Sequence, residues 1–288
     1  MINILLLNWN SSDDIKTCIG QIIKSNFNQY RLILIDNNSS EIDKNKLTII
    51  YNELKTKFVN KIYLIQNSEN FGYAGGNNRG YEYLRQNNLD GDILILNPDV
   101  LISENTLEQL RIVLDSDNSV GAVMCRSVNT DGRVLYDSIS MNGLDQKYLT
   151  SSSNIVETDY VAGSCMLLRR EVIDKIGLFN EKFFMYWEEV DLSFRIKKLG
   201  YKLLSTTSTN VTRKENDKSR SFNMIFYMTR NVFLMKKYHT HITSKDMLII
   251  LLKMFKGSIL NSYKYSDINY LLVFIKGVLN GIKTSIKI

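Results

Sequence analysis

Proline is almost absent from this chain: Pro98 is the only one in 288 residues. Histidine is nearly as scarce, and both copies, His239 and His241, lie near the C-terminal end. Residues 1–215 therefore offer no Ser-His-Asp triad, no imidazole base and no His zinc ligand. Any chemistry there must use carboxylates, amides, hydroxyls and backbone. The three cysteines, Cys18, Cys125 and Cys165, lack metal or CxxC spacing. Cys18 and Cys165 sit in apolar patterns and read as core thiols of a reducing compartment. No apolar run exceeds six residues, as in Met247 to Leu252. A membrane-spanning helix needs ~20. The start, Met1-Ile2-Asn3-Ile4, has no basic n-region or cleavage site. A cytoplasmic protein is expected.

What is present is ordinary in bulk, with 44% apolar and 23% charged residues. The length suits one large domain, or one domain with an appendage. The charge is unevenly placed. Residues 216–288 hold 12 Lys and Arg against 3 Asp, a net of +9, so residues 1–215 carry −3 of the whole chain's +6.

Ile93-Leu94-Ile95-Leu96 reads as a buried strand, ended by Asn97-Pro98-Asp99. Proline brings no N–H to a sheet ladder and biases its predecessor away from helix. A carboxylate just past a strand's carboxyl end stands where ligands bind in open α/β sheets. Upstream, strands are expected at Asn3–Leu7, Leu32–Ile35 and Ile62–Ile65. Helices are expected after Ser11 or Ser12, across Lys46–Lys57, and from the glycine-rich stretch to about Gln86. This is the βαβ rhythm of a parallel sheet covered on both faces, repeating at roughly 30 residues. Asn8, Asp36 and Asp99 follow strand ends, so Asp36 and Asp99 become candidates for one crevice.

Asn70-Phe71-Gly72-Tyr73-Ala74-Gly75-Gly76-Asn77-Asn78-Arg79-Gly80 lacks the placement of a dinucleotide fingerprint and the G-K-[ST] of a P-loop. It reads either as a helix N-terminus accepting phosphate or as a flexible loop. A helix is expected over Glu104–Ser116 and a strand over Val120–Cys125. Residues 129–157 form a long polar excursion, expected to be functional or mobile. Tyr160–Leu168 is expected as a strand broken at Gly163, where another group can approach closely. Arg170–Ile176 is a short helix closed by Gly177.

In Phe183-Phe184-Met185-Tyr186-Trp187-Glu188-Glu189-Val190-Asp191 an aromatic cluster runs into a helix start. Asp191 and Arg195, four apart, are expected to pair. Glu188 and Glu189 are either dipole partners of the helix or carboxylates in a cleft, where one could take a proton from a hydroxyl.

These stretches, with Asp36-Asn37-Asn38-Ser39, Leu96-Asn97-Pro98-Asp99 and Gly163, occur in an order and spacing that resembles family 2 bacterial glycosyltransferases of the GT-A fold. The likeness is to the rhamnosyltransferase-like branch and covers about residues 1–240. It implies an α/β fold with a mostly parallel, Rossmann-like central sheet, helices on both faces and a C-terminal helical extension. It implies a nucleotide-sugar donor, a glycan acceptor and inversion at the anomeric carbon. Asn8, Asn10, Asp36, Asn38, Asn70, Gly75, Gly76, Asn78, Asn97, Asp99, Gly163 and Arg213 would serve the donor. Glu189 matches the catalytic base, usually Asp, and Glu188 and Trp187 would shape the acceptor site. Asp99 would hold a divalent metal, Mg²⁺ or Mn²⁺; Asn97 replaces the first carboxylate of the family's D-x-D. Where the family often has a His near the metal, this chain reads Asn210-Val211-Thr212-Arg213-Lys214, and Arg213 could meet diphosphate directly.

The expected layout is a catalytic domain over 1–221, with a nucleotide-binding half to about 100 and an acceptor half beyond, then a basic helical tail over 222–288. The tail reads as helices over Phe222–Lys237 and Ser244–Lys287. Lys among Leu, Ile, Phe and Tyr suits an interfacial helix on the inner face of an anionic membrane and a lipid-linked acceptor. The same pattern suits a bundle packed on the domain or on a second copy in a homodimer. No nucleic-acid motif is present. The competing classes are a sugar-nucleotide nucleotidyltransferase, which would carry a glycine-rich basic loop after the first strand, and a non-catalytic membrane-associated binding protein.

Overall fold

A computed structural model describes residues 1–213 and 218–286; Lys214 and Lys287 lie outside them. The chain opens with β1 (Ile2–Asn8), α1 (Ser12–Ile23), β2 (Tyr30–Asp36), α2 (Glu41–Lys55), β3 (Ile62–Gln66), α3 (Gly72–Gln86) and β4 (Asp92–Leu96). Then come β5 (Val100–Ile102), α4 (Thr106–Asp115), β6 (Val120–Asn129), β7 (Val134–Tyr136), β8 (Ser138–Asn142), β9 (Asp145–Leu149) and β10 (Ile155–Glu157). β11 (Cys165–Leu168), α5 (Arg170–Ile176), α6 (Glu188–Lys198) and β12 (Lys202–Arg213) complete the sheet region, followed by α7 (Lys218–Tyr238), α8 (Ser244–Tyr265) and α9 (Asn269–Ile286).

Among the described residues ten strands form one sheet, ordered β10-β12-β6-β11-β4-β1-β2-β3, with β5 on β12 and β7 on β6. β1 to β4 run parallel, and antiparallel β11 joins them to β6 and its parallel neighbour β12. Alternate residues enter two separate cores. Leu5, Ile33, Ile35, Ile93 and Ile95 face one, and Ile4, Leu6, Leu32, Leu34, Leu94 and Leu96 face the other. Burial on both faces is why these strands read as unbroken apolar runs.

α2 starts five residues earlier than its apolar pattern suggests, because Ser40 caps it and accepts from the Asp43 N–H. The polar stretch 129–157 is ordered as β7 to β10, with β8 and β9 forming a hairpin. Its anchor is fully buried Asp137, which pairs with Arg126 and accepts from the Ser151 N–H. The strand expected at Tyr160–Leu168 begins only at Cys165. Before it, the Val161 N–H donates to Ser193 Oγ rather than to a neighbouring strand. All three cysteines are buried thiols.

The 221/222 boundary falls inside α7. Val232, Leu234 and Met235 of that helix are buried in the same core as Leu5 and Ile95. The single helix expected over Ser244–Lys287 is two, broken at left-handed Ser266.

Candidate active site

The carboxyl ends of β1, β2, β4, β6 and β12 share one edge of the sheet, and the start of antiparallel β11 lies there too. Asn8 pairs with Asp36, Cys165 with Leu96, and Arg213 with Val100. So Asp99, next to Val100, and Arg213, about 115 residues later, meet at one corner. Burial opposes the Arg213 charge, but Tyr136 and Asp99 outweigh it and its pKa is raised.

At the β1–β2 end the expected donor residues hold one another. The Asn8 amide donates to Asp36 Oδ1 at 3.0 Å, Ser39 Oγ at 3.1 Å and Asp43 Oδ2 at 2.7 Å. Asp36 is fully buried and also accepts from the Ser39 N–H. Asn10 Oδ1 accepts from the Ser40 N–H at 2.8 Å. Asn10 and Asn38 are left-handed, exposed residues at the rim of this network. Trp9, 52% exposed beside them, adds an open aromatic face that the sequence reading passed over.

The glycine-rich stretch is neither a flexible loop nor an open phosphate cradle. It is the first half of α3, and its leading N–H groups are taken: Gly72 donates to Asn70 Oδ1 and Ala74 to the Phe184 carbonyl. A Cβ on Gly76 would lie 2.5 Å from Leu7 Cδ1, and one on Gly75 2.7 Å from Phe71 Cβ. Gly76 lets the helix lie close on the sheet, while Gly75 leaves room for Phe71 at the helix start. Asn70 also accepts from Asn37 Nδ2, and Asn78 brackets Phe179 through its carbonyl and its N–H. Asn70, Gly75, Gly76 and Asn78 therefore brace the wall of the crevice.

Facing the Asp99 corner are Tyr73, Gly163 and the start of α6. The Tyr73 hydroxyl donates to the Gly163 carbonyl at 2.5 Å. Burial raises the Tyr73 pKa well above its ordinary value, with the charges of Glu188, Glu189 and Asp99 adding to it. The Tyr73 hydroxyl thus feels the charge of all three carboxylates. Asn97 closes the corner by donating its N–H to the Ser164 carbonyl at 2.9 Å.

Glu188 is buried and Glu189 half-buried, and Oε2 of each has no hydrogen-bond partner. An unpaired buried carboxylate oxygen is costly, so such atoms mark a place built for something else. Burial, then the neighbouring Glu189 charge, raises Glu188 well above the carboxylate range. Burial raises Glu189 as well, while backbone N–H groups, Glu188 and Arg213 favour its anion. Their environments thus push the two neighbouring carboxyls unequally, Glu189 having the charge partners that Glu188 lacks.

Asp191 keeps a structural role, with Oδ2 accepting from Arg195 Nε at 2.9 Å. Trp187 is not a cleft wall. It is 2% exposed, and its Nε1 donates to the Met228 carbonyl of α7. Beside Arg213 and Glu189 stand Tyr136, Tyr148 and Tyr160 instead. The Tyr136 and Tyr148 rings stack at 5.1 Å, and Tyr148 is 55% exposed. Nothing in the local sequence marked these tyrosines, because three separate segments bring them in: Tyr136 ends β7, Tyr148 lies on β9 and Tyr160 follows β10.

Among the described residues no group of three or more His, Cys, Asp or Glu is placed to hold a metal. One carboxylate, Asp99, fits an ion that draws most of its ligands from a diphosphate and water, as Mg²⁺ does, and does not fit an all-protein cage.

Residues 4–177 match the family described as Glycosyl transferase family 2. The chain belongs to that family. It is 28% identical over 205 residues to a low-salt glycan biosynthesis hexosyltransferase of Haloferax volcanii, covering 68% of this chain and 62% of the relative. It is 23% identical over 239 residues to the rhamnosyltransferase WbbL of Escherichia coli, covering 77% of this chain and 86% of that one. Among solved structures it is similar to a mannosyltransferase from Pyrobaculum calidifontis in complex with GDP-Man and Mn2+. The TM-score is 0.63 at 13% identity, over 99% of this chain and 86% of the other. That likeness shows the GT-A fold. Family 2 membership accounts for the crevice at the sheet edge; the roles of individual residues rest on the geometry above.

Proposed function

We propose that this chain is an inverting glycosyltransferase that moves a sugar from a nucleotide-sugar donor to a glycan hydroxyl. The observation that carries the proposal is the Glu188–Glu189 pair, one buried and one half-buried, with a buried, unpartnered oxygen on each, opposite the Asp99–Arg213 corner. The acceptor oxygen attacks the anomeric carbon while the bond from that carbon to the diphosphate oxygen breaks. Glu189 takes the hydroxyl proton, and the electron pair leaves on the diphosphate. Glu188, protonated, donates to Glu189 and keeps a second negative charge out of the pocket. Arg213 meets the charge developing on the diphosphate. Asp99 would hold a divalent metal there, which when bound supplies further neutralisation of the leaving group.

Similarity to a rhamnosyltransferase supports dTDP-rhamnose as donor, with UDP-hexoses next. A lipid-linked acceptor, in surface polysaccharide synthesis, is supported by the outer faces of α8 and α9. Leu248, Leu252, Phe255 and Ile259 are exposed in one stripe, as are Leu272, Ile275, Leu279 and Ile282, among the lysines that give the tail its positive charge. No helix among the described residues is long and apolar enough to cross a membrane. We therefore read the tail as peripheral on an anionic inner leaflet.

The test is release of nucleoside diphosphate across a panel of donors with a polyprenyl-diphosphate-linked sugar as acceptor. Glu189→Gln is expected to lower kcat by about 10²–10⁴-fold, the usual worth of a general base. Transfer at the wild-type rate in that variant would remove Glu189 from the role. Titrating Mg²⁺ or Mn²⁺ into chelator-treated protein tests Asp99. Full activity without metal would leave the diphosphate to Arg213.

A further inference from the structure

The segment that delivers Glu188 and Glu189 is strained. Phe184, Tyr186 and Trp187 all have positive φ, at 62°, 65° and 71°, and none is glycine. Left-handed backbone costs a side-chain-bearing residue of order 1 kcal/mol or more, so three in four residues need strong external support. Trp187, the residue before α6, makes no side-chain cap to hold the helix start.

The support comes from α7, about 45 residues further along. The Asn231 amide nitrogen donates to the carbonyls of Phe183 at 2.9 Å, Met185 at 2.8 Å and Tyr186 at 2.7 Å. Its orientation is fixed from behind, because Arg230 Nε donates to Asn231 Oδ1 at 2.7 Å. Arg230 Nη2 donates to the carbonyls of Lys182 and Phe183, both at 2.6 Å. The remaining carbonyls are met too: Phe184 by the Ala74 N–H and Trp187 by the Asp191 N–H. Every carbonyl from Lys182 to Trp187 thus has a donor, and four of the six accept from Arg230 or Asn231, Phe183 also accepting from the Met185 N–H. Asn231 is fully buried just before the apolar run Val232–Met235, where an amide persists only with its hydrogen bonds made.

We infer that Asn231, with Arg230 behind it, is a positioning residue: it fixes the left-handed segment that aims Glu189 at the acceptor hydroxyl. The inference rests on the proposed role of Glu189. It makes α7 part of the catalytic apparatus. A misplacement of about 1 Å in a reacting group can cost of order 10²-fold in rate, and Asn231 holds the carbonyls of Met185 and Tyr186 directly.

The experiment compares the full-length chain with Asn231→Ala, Asn231→Asp and Arg230→Gln under saturating acceptor. Donor affinity is read by calorimetry with the nucleoside diphosphate, and folded fraction by unfolding curves. Asn231→Ala and Asn231→Asp are expected to lower kcat by about 10²-fold while diphosphate affinity stays within about twofold, since that corner lies on other elements. The acid limb of the kcat profile is expected to move, because the environment of Glu189 changes. Arg230→Gln keeps the fold if Asn231 variants do not, and is expected to lower kcat by about tenfold. Activity loss that only tracks the folded fraction, with the acid limb unmoved, would overturn the inference, as would an unchanged kcat in Arg230→Gln. If Glu189→Gln itself were fully active, the base assignment would fall first, and a kcat loss in Asn231→Ala would then need another cause.

Discussion

His239 Nε2 lies 2.9 Å from Asp191 Oδ1, while the other Asp191 oxygen accepts from Arg195. The contact joins the end of α7 to the first turn of α6, three residues beyond Glu188. Asp191 is almost fully buried, and so is His239.

Removing that link should loosen α7 without unpairing Asp191 altogether, since Arg195 remains. A hydrogen bond to a charged group contributes about 1.5–3 kcal/mol. His239→Ala is expected to lower unfolding free energy by about that amount in urea titration, with nucleoside diphosphate binding retained. A loss within error of zero would mean that the two helices are held by their apolar contacts alone.

Glu188 gives a pH prediction with a definite sign. Its folded pKa is raised by burial and by the Glu189 charge. Between the ordinary carboxylate value, about 4.3, and that raised value, the folded chain binds more protons than the unfolded one. Stability therefore falls as pH rises through this window. Glu188→Gln cannot titrate, and its amide still donates to Glu189. It should flatten the fall of melting temperature with rising pH while keeping transfer activity. A melting curve as pH-dependent as the wild type's would place the titration elsewhere.

Gly80 and Gly20 make a matched pair. A Cβ on Gly80 would stand 2.5 Å from Ile35 Cδ1 and 3.2 Å from Leu5 Cδ2, both fully buried side chains. Gly80→Ala is expected to cost about 1–3 kcal/mol by overpacking. Gly20, on the outer face of α1, would meet nothing within 4 Å. Gly20→Ala should stabilise by about 0.5–1 kcal/mol through helix propensity. Equal effects of one sign would argue against the close α3–sheet contact.

Much of the fold could be read because its signals are local. Ile93–Leu96 followed by Pro98 marks β4, and Gly177 marks the end of α5, through properties of the residues themselves. The sheet edge then follows from strand order, which is how Asp36 and Asp99 became candidates for one crevice, whereas Glu188 and Glu189 joined Asp99 only through the family resemblance. What escaped is non-local. Asn231 looks like one more polar residue of a mixed helix until the carbonyls of Met185 and Tyr186 are known to face it. Polar content made 129–157 look mobile, whereas Asp137 spends its carboxylate on Arg126 inside the fold. The glycines of α3 suggested phosphate because glycine permits close approach, but the approaching groups are Leu7, Leu5 and Ile35.

The exposed stripes of α8 and α9 carry the last prediction. Leu252 is 57% and Leu279 63% exposed, and they lie on different helices. Neither packs in the tail's own core of Ile225, Tyr270 and Phe274. Leu252→Asp with Leu279→Asp should therefore leave folding intact while adding charge to both apolar faces. If these faces lie on lipid, wild type should co-sediment with vesicles containing phosphatidylserine, and the double variant should not. Binding should weaken with salt, because each lysine near such a surface contributes about 1 kcal/mol through an attraction that ions screen. Equal binding to neutral vesicles would remove the electrostatic part of the argument. Loss of a dimer in sedimentation analysis, with no vesicle binding by wild type, would assign both faces to a second copy of the chain.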